Sequence, residues 1–277
     1  MRAFVICYSL FVISGAAYAQ LPAAQQPAKP FEPVSGQAGK DVVWVPSPPD
    51  MVNKLMELGQ VTSKDVVIDL GSGDGRNVIA AAKLGAQALG VEYNPDMVAL
   101  SRRRAAEAGV AEKALFVQGD MYEADISKAS VMALFLLPDN MNKLLPRFLA
   151  LKPGSRIVSN TFSMEGWTAD HTETLPDCSA WCTVLLWVVP ANAAGAWQLP
   201  QGTLTLKQEF QHVAGTLGTT AIADGRLNGE QITFTAGTAR YAGRVNGDVI
   251  DGTVTTGTET AAWRATRGAT PTGPSRE

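Results

Sequence analysis

From Asp69 to Arg76 the chain reads Asp-Leu-Gly-Ser-Gly-Asp-Gly-Arg: glycines at 71, 73 and 75, one carboxylate before them and one among them. Glycine lets a backbone turn sharply and approach a ligand with no Cβ in the way, so the segment reads as a cradle for a nucleotide-like cofactor. The spacing is not the G-x-G-x-x-G of dinucleotide folds. A pyrophosphate placed here would be repelled by Asp69 and Asp74, which disfavours a nicotinamide-dependent oxidoreductase. A ligand carrying an ammonium and a sulfonium, with no phosphate, suits the same acids. About twenty residues beyond the first loop glycine stands Glu92, where nucleotide-binding α/β folds carry an acid that accepts from both ribose hydroxyls.

These residues need a scaffold, and the pattern around them supplies one. Val66, Val67 and Ile68 are β-branched and apolar on both faces, as a central parallel strand requires. Asn77 to Lys83 is a helix opening directly from the glycine turn. Alternation then continues: a strand at 86–92, a helix capped by Asn94-Pro95-Asp96 and closed by Gly109, and a strand at 114–118. An apolar strand follows at 131–137, then a helix at 139–150 and strands at 155–160 and 183–189. This is an α/β, Rossmann-like, doubly wound sheet, whose ligands bind beyond the C-terminal strand ends. Leu137, Pro138, Asn140, Asn160 and Trp167 fall near that edge and are candidates for a second substrate's pocket, with core or loop packing the alternative for Leu137 and Trp167. Ahead of the sheet, Asp50 is an expected N-cap for a helix at 51–58 that would cover the loop.

The C-terminal third is different. From Trp197 it is rich in Gly and Thr, with short alternating strands and no helix signal. Asn228-Gly229 and Asn246-Gly247 are hairpin turns, because Asn-Gly tolerates two positive φ angles. GRLNGEQI at 225 and GRVNGDVI at 243 form an internal repeat. The expectation is an antiparallel β domain over 197–267, a meander or small barrel, serving packing or dimerisation or else enclosing a ligand. A tail occupies 268–277.

The chain has 277 residues, 46% hydrophobic and 18% charged, with a formal net charge of -3. Its basic residues are scattered, which argues against a nucleic-acid partner. Residues 1–19 carry Arg2, an apolar run and Ala17-Tyr18-Ala19, the pattern of a signal peptide cut after Ala19. Export to a periplasm or beyond follows, with an uncleaved anchor as the alternative. No later segment reads as a membrane span. Residues 20–41 read as a disordered leader. Cys178 and Cys182 are the pair left after cleavage: a disulfide or two inert thiols. One nearby histidine, His171, is too little for zinc, so no metal is expected.

The loop resembles motif I of class I methyltransferases, which use S-adenosyl-L-methionine. Taken with VPSPPDMVNKLMEL, FVQGDMYEADIS, FLLPDN and LKPGSRIVSNTFSMEGW, residues 42–190 are similar to the small seven-strand lysine methyltransferases, which include the enzymes modifying the adenine nucleotide translocase and the ATP synthase c-subunit. The resemblance implies that Asp69, Gly71, Ser72, Gly73, Asp74, Glu92 and Asp120 hold the cofactor, with Asp120 accepting from the adenine amino group. It also implies that the VPSP segment, with Ser47, closes over it, and Ser47 is a further candidate for the second substrate's pocket. The acceptor implied is a protein, through a lysine, or else a small molecule. No residue is assigned as catalytic; Asp139 is the acid nearest the FLLPDN loop. The alternative is an envelope protein that binds the nucleoside without turnover and contacts a partner through its β domain.

Overall fold

The computed structural model describes residues 31–268. The expected signal peptide, the expected leader before residue 31 and most of the expected tail lie outside the described residues.

The first layer is a seven-stranded sheet. Its strands are β1 (Val66–Leu70), β2 (Gln87–Glu92), β3 (Ala114–Gln118), β4 (Val131–Leu134), β5 (Arg156–Asn160), β6 (His171–Thr174) and β7 (Thr183–Val188). Their order is β3-β2-β1-β4-β5-β7-β6. β1 to β5 run parallel, while β7 lies antiparallel to both β5 and β6. Helices α1 (Pro49–Leu58), α2 (Arg76–Lys83), α3 (Pro95–Glu107) and α4 (Pro138–Leu149) complete it. The strand order reverses at β1, where β2 and β4 leave on opposite sides; an open α/β sheet forms its ligand crevice there.

Two apolar clusters cover the sheet's faces. Met51, Leu55, Val67, Val78, Val131 and Val158 belong to one, and Ile68, Leu134, Met141, Phe148, Trp167 and Trp187 to the other. β1 and β4 contribute to both, which is why β4 is apolar throughout and β1 is apolar except for Asp69, instead of alternating.

Several boundaries differ from the sequence reading. α1 begins at Pro49, with Pro48 at the N-cap and Asp50 one place inside the helix, because proline's fixed φ suits the first helical position. β4 ends at Leu134; Leu137 caps α4, which starts at Pro138 for the same reason. β6 carries no apolar alternation in His-Thr-Glu-Thr, so nothing in its sequence marks a strand. It is a short edge strand held by β7 alone.

Residues 31–41 do not fit the expectation of a disordered leader. Gly36 N–H donates to Trp44 O at 2.8 Å and Trp44 N–H to Gln37 O at 2.9 Å, closing a small hairpin with a bridge between Ala38 and Val43. Glu32 pairs with Arg103 and Arg104 of α3. Composition hid this order, since few apolar residues are involved and the partners lie far along the chain.

The second layer is a closed eight-stranded antiparallel barrel, β8 (Gly195–Leu199) to β15 (Glu259–Arg267). β9 (Gly202–Glu209), β10 (His212–Leu217), β11 (Thr220–Asn228), β12 (Gln231–Ala236), β13 (Ala239–Asn246) and β14 (Val249–Thr256) lie between them. β11 carries a register shift between Ala223 and Arg226, with Asp224 at φ 53°, that breaks its alternation. Trp197, Leu204, Leu227, Ile232, Phe234, Tyr241 and Trp263 pack within the barrel's own apolar cluster. Phe234 stacks on Tyr241 at 4.7 Å between centroids, and Trp263 meets both edge-on. Such filling is usual for a small barrel.

The barrel is joined to the sheet at defined points. Ala191 N–H donates to Gly229 O at 2.8 Å, Gln211 Nε2 to Thr168 O at 2.7 Å, and Arg226 pairs with Asp170 at 2.7 Å. Trp167 stacks on Phe210 at 5.5 Å.

Candidate functional site

The site is built on the turn after β1. Gly71 and Ser72 both donate their N–H groups to Val91 O, at 2.8 and 3.1 Å, and Gly73 donates to Glu92 Oε2 at 2.9 Å. Three successive amides are thus engaged by the end of β2, which leaves them unable to form a phosphate nest. Glu92 Oε1 accepts from Asn94 N–H at 2.9 Å. Both its oxygens are fixed, each with lone-pair capacity remaining. Gly73 has φ 54°, and a Cβ there would fall 2.6 Å from Trp44 Nε1. The glycine lets the ordered leader lie directly against the loop.

Above the turn, the cavity is lined by residues 37–47, the glycine loop, Asp69, Val91 to Asn94, Gly119 to Met121, Phe135, Leu137, Phe162 and Trp181. The cover over the loop is therefore the 37–47 segment, and α1 packs instead against α2, β5 and β7.

Carboxylates dominate this cavity. Asp69 is only 3% exposed. Burial drives its pKa well above the ordinary carboxylate range, the charges of Glu92 and Asp74 push the same way, and the Asn77 amide, 3.2 Å from Oδ2, opposes them. Asp74 is also buried, but here the Arg76 and Arg104 guanidiniums outweigh burial and hold its carboxyl below the usual range. Arg76 also donates to Ser47 O, which ties the VPSP segment to the loop. Asp120 is held low by the Lys40 ammonium, with Tyr122 N–H donating to it at 2.9 Å.

Of the residues expected to hold a cofactor, Asp69, Gly71, Ser72, Gly73, Asp74, Glu92 and Asp120 all line this one cavity. Ser72 Oγ has no hydrogen-bond partner among the described residues and packs over Gly90. Among the acceptor candidates, Ser47 and Leu137 line the cavity and four others do not. Asn140 Nδ2 donates to Tyr122 OH at 2.6 Å, and Pro138 opens α4. Asn160 is buried behind the lining, its Nδ2 donating to Ser47 Oγ at 3.1 Å. Trp167 is fully buried between Trp187 and Phe210, so it is a core residue; its carbonyl accepts from Trp187 Nε1 at 2.8 Å. Asp139 is exposed on the first turn of α4 and does not line the cavity.

Sequence reading missed Lys40, Trp44, Phe135, Phe162 and Trp181. A tryptophan just before the VPSP segment was the one available signal for Trp44. Cys178 and Cys182 are joined by a disulfide, with Trp181 inside the ring it closes. Among the described residues, no cluster of His, Cys, Asp and Glu could hold a metal ion.

The residues fit a cationic nucleoside. The cavity offers the acids Asp41, Asp69, Asp74, Glu92 and Asp120 against two basic side chains, Lys40 and Arg76, both already paired. A ligand with positive charge relieves that imbalance, whereas a pyrophosphate would add to it.

Comparison with known proteins agrees with this geometry. The family model described as the ANTKMT methyltransferase domain matches residues 69–171. A protein-lysine N-methyltransferase of Saccharolobus islandicus is 38% identical over 152 residues, covering 53% of this chain and 94% of the relative. The lysine N-methyltransferase of the ATP synthase c-subunit from Mus musculus is 42% identical over 107 residues, 38% of this chain and 43% of that enzyme. The crystal structure of an RNA methyltransferase from Salinibacter ruber, in complex with S-adenosyl-L-homocysteine, is 45% identical with a TM-score of 0.51. It covers 53% of this chain and 95% of its own. Fold and site together define a class I methyltransferase that uses S-adenosyl-L-methionine. Within that class, the chain belongs to the ANTKMT methyltransferase family. These alignments cover little more than half of the chain at most.

Proposed function

We propose that this enzyme methylates the side-chain amine of a lysine in a protein and does so outside the cytoplasm. The observation that carries the acceptor class is the composition of the cavity: its basic groups are engaged by carboxylates, leaving none to neutralise an RNA backbone. Relatives named as lysine methyltransferases support the same reading. Export rests on the N-terminal pattern and on the Cys178–Cys182 disulfide, a bond that persists in oxidising compartments.

In this reading the cofactor supplies an electrophilic methyl group on a sulfonium. Glu92 accepts from the ribose hydroxyls and Asp120 from the adenine amino group. Asp69, whose charged form burial and the neighbouring acids disfavour in the free protein, would be drawn to that form by a cation beside it, and Gly71 and Gly73 allow close approach. Trp44 and Ser47 exclude water from above. The chain's contribution to rate is alignment of two reactants, which can supply about 7–11 kcal/mol.

The test is incubation of the purified full chain with methyl-tritiated S-adenosylmethionine and an envelope protein fraction, followed by hydrolysis and amino-acid analysis. Label in methyllysine is expected. Label in another amino acid, or only in added RNA, refutes the acceptor. Amino-terminal sequencing of the protein from the periplasmic fraction should begin at Gln20; an intact Met1 in the cytosol refutes export.

A further inference from the structure

Besides its carboxylates, the cavity is lined by three aromatic rings from distant parts of the chain. Phe135 follows β4, Phe162 follows β5, and Trp181 lies in the turn between β6 and β7. The order β4-β5-β7 brings them together. Phe135 and Phe162 stack at 5.8 Å with an interplanar angle of 12°, and Trp181 meets Phe135 edge-on at 6.0 Å. All three line the same cavity as Asp69 and Gly71.

Trp181 is held there by covalent means. The disulfide joins the residues on either side of it, Cys178 and Cys182, across a Cα separation of 5.5 Å. Trp181 itself sits at φ 53°, a conformation rarely kept by a bulky side chain, and the residue is 43% exposed. An exposed indole in a left-handed backbone is costly, and the short ring restricts the loop's alternatives. The base of the turn is closed by Leu175 N–H donating to Cys182 O at 2.8 Å.

We propose that Phe135, Phe162 and Trp181 form the wall that receives the acceptor's aliphatic chain and amine, and that the Cys178–Cys182 disulfide is required to position Trp181 in it. The proposal rests on lysine as the acceptor. Aromatic faces attract an alkylammonium without the full charge of a carboxylate, which would favour the protonated form too strongly for attack. The amine must lose a proton to water before its lone pair forms the new nitrogen–carbon bond, as the carbon–sulfur bond breaks with its electron pair passing to sulfur. The product, a methylated ammonium, is the species such faces accommodate best. Reduction of the disulfide by a dithiol, which is itself oxidised to a disulfide as the two cysteines take up its electrons and protons, frees the turn and withdraws Trp181.

The experiment is calorimetric titration of the full oxidised chain, saturated with S-adenosylhomocysteine, with a short glycine–serine peptide bearing one central lysine. It is repeated for Trp181→Ala, Trp181→Phe, the double variant Cys178→Ser with Cys182→Ser, and the dithiol-reduced wild type. The expected result is peptide binding weakened about tenfold in Trp181→Ala, the double variant and the reduced protein. Trp181→Phe should restore most of it, and affinity for S-adenosylhomocysteine should stay unchanged throughout. Equal peptide affinity in all forms, or none in the wild type while S-adenosylhomocysteine binds, overturns the proposal. So does binding of a mixed oligoribonucleotide, and not the peptide, that is lost in Trp181→Ala. Failure of wild type to bind S-adenosylhomocysteine is a separate result, and it overturns the cofactor assignment beneath the proposal.

Discussion

Replacing Asp69 by Asn should have two opposite effects. The side chain keeps its shape and an oxygen to accept from Asn77, but it loses the capacity to carry a negative charge at this buried position. If that charge faces the cofactor's cationic end, one charge-assisted interaction disappears. Such a bond is worth about 1.5–3 kcal/mol, so affinity for S-adenosylmethionine should fall roughly ten- to a hundredfold. The ligand-free protein should become more stable, because a carboxylate disfavoured by burial and by Glu92 and Asp74 is no longer present. For a chain of this size, each kcal/mol of relief raises Tm by about 2–4 °C. The pH dependence fixes the sign. The folded state holds the Asp69 proton to a higher pH than the unfolded state does. Wild-type stability therefore falls, relative to the variant, as pH rises from the unfolded carboxylate value of about 3.9 through the raised folded one. The two proteins converge below that window and differ most above it. Thermal denaturation across a pH series and calorimetric titration read both effects. Unchanged cofactor affinity, together with a variant no more stable than wild type at neutral pH, refutes the argument.

Two further outcomes follow from the same geometry. Gly73→Ala forces a Cβ toward the Trp44 indole at a positive φ, which costs about 1–2 kcal/mol and displaces the 37–47 segment. Cofactor affinity should fall while far-ultraviolet circular dichroism is unchanged; wild-type affinity would show that the segment does not cover the cofactor. Trp167→Ala should cost about 3–5 kcal/mol of stability through the lost Trp187 and Phe210 packing, with cofactor affinity at low temperature kept. A selective loss of activity in a fully stable protein would return Trp167 to the acceptor pocket.

How far the site could be read from the sequence depended on how local each part was. The glycine turn, its flanking acids and the Asn94 cap are local, and the cap forms as expected, Asn94 Oδ1 accepting from Asp96 N–H at 2.9 Å. The two Asn-Gly pairs likewise marked hairpins, joining β11 to β12 and β13 to β14, although each asparagine ends its strand and only Gly229 and Gly247, not the asparagines, take a positive φ. The aromatic wall is not local. Phe135, Phe162 and Trp181 meet because of strand order, which no window of the sequence encodes. Trp167 shows the converse: it stands at the right edge of the sheet by sequence, but the barrel's Phe210 turns that position into core. Lys40 and Trp44 were hidden because the leader is ordered by charge and by one indole, neither of which leaves a periodic signature.

The barrel's closure carries a consequence for how the chain acquires its shape. Seven of its eight strand contacts join consecutive strands, so they can form as local hairpins while the polypeptide is still being delivered. The eighth, β15 to β8, is registered by only two residue pairs, Thr266 with Gln198 and Arg267 with Trp197. Arg267 then acts as a clasp: its guanidinium lies 4.2 Å from the Trp197 ring and donates to the carbonyls of Ala194 and Asn192. Until that last strand arrives, β8 and β14 are open edges able to recruit another chain. Completion of the barrel therefore waits on β15 to emerge, and Arg267 at its end secures the ring.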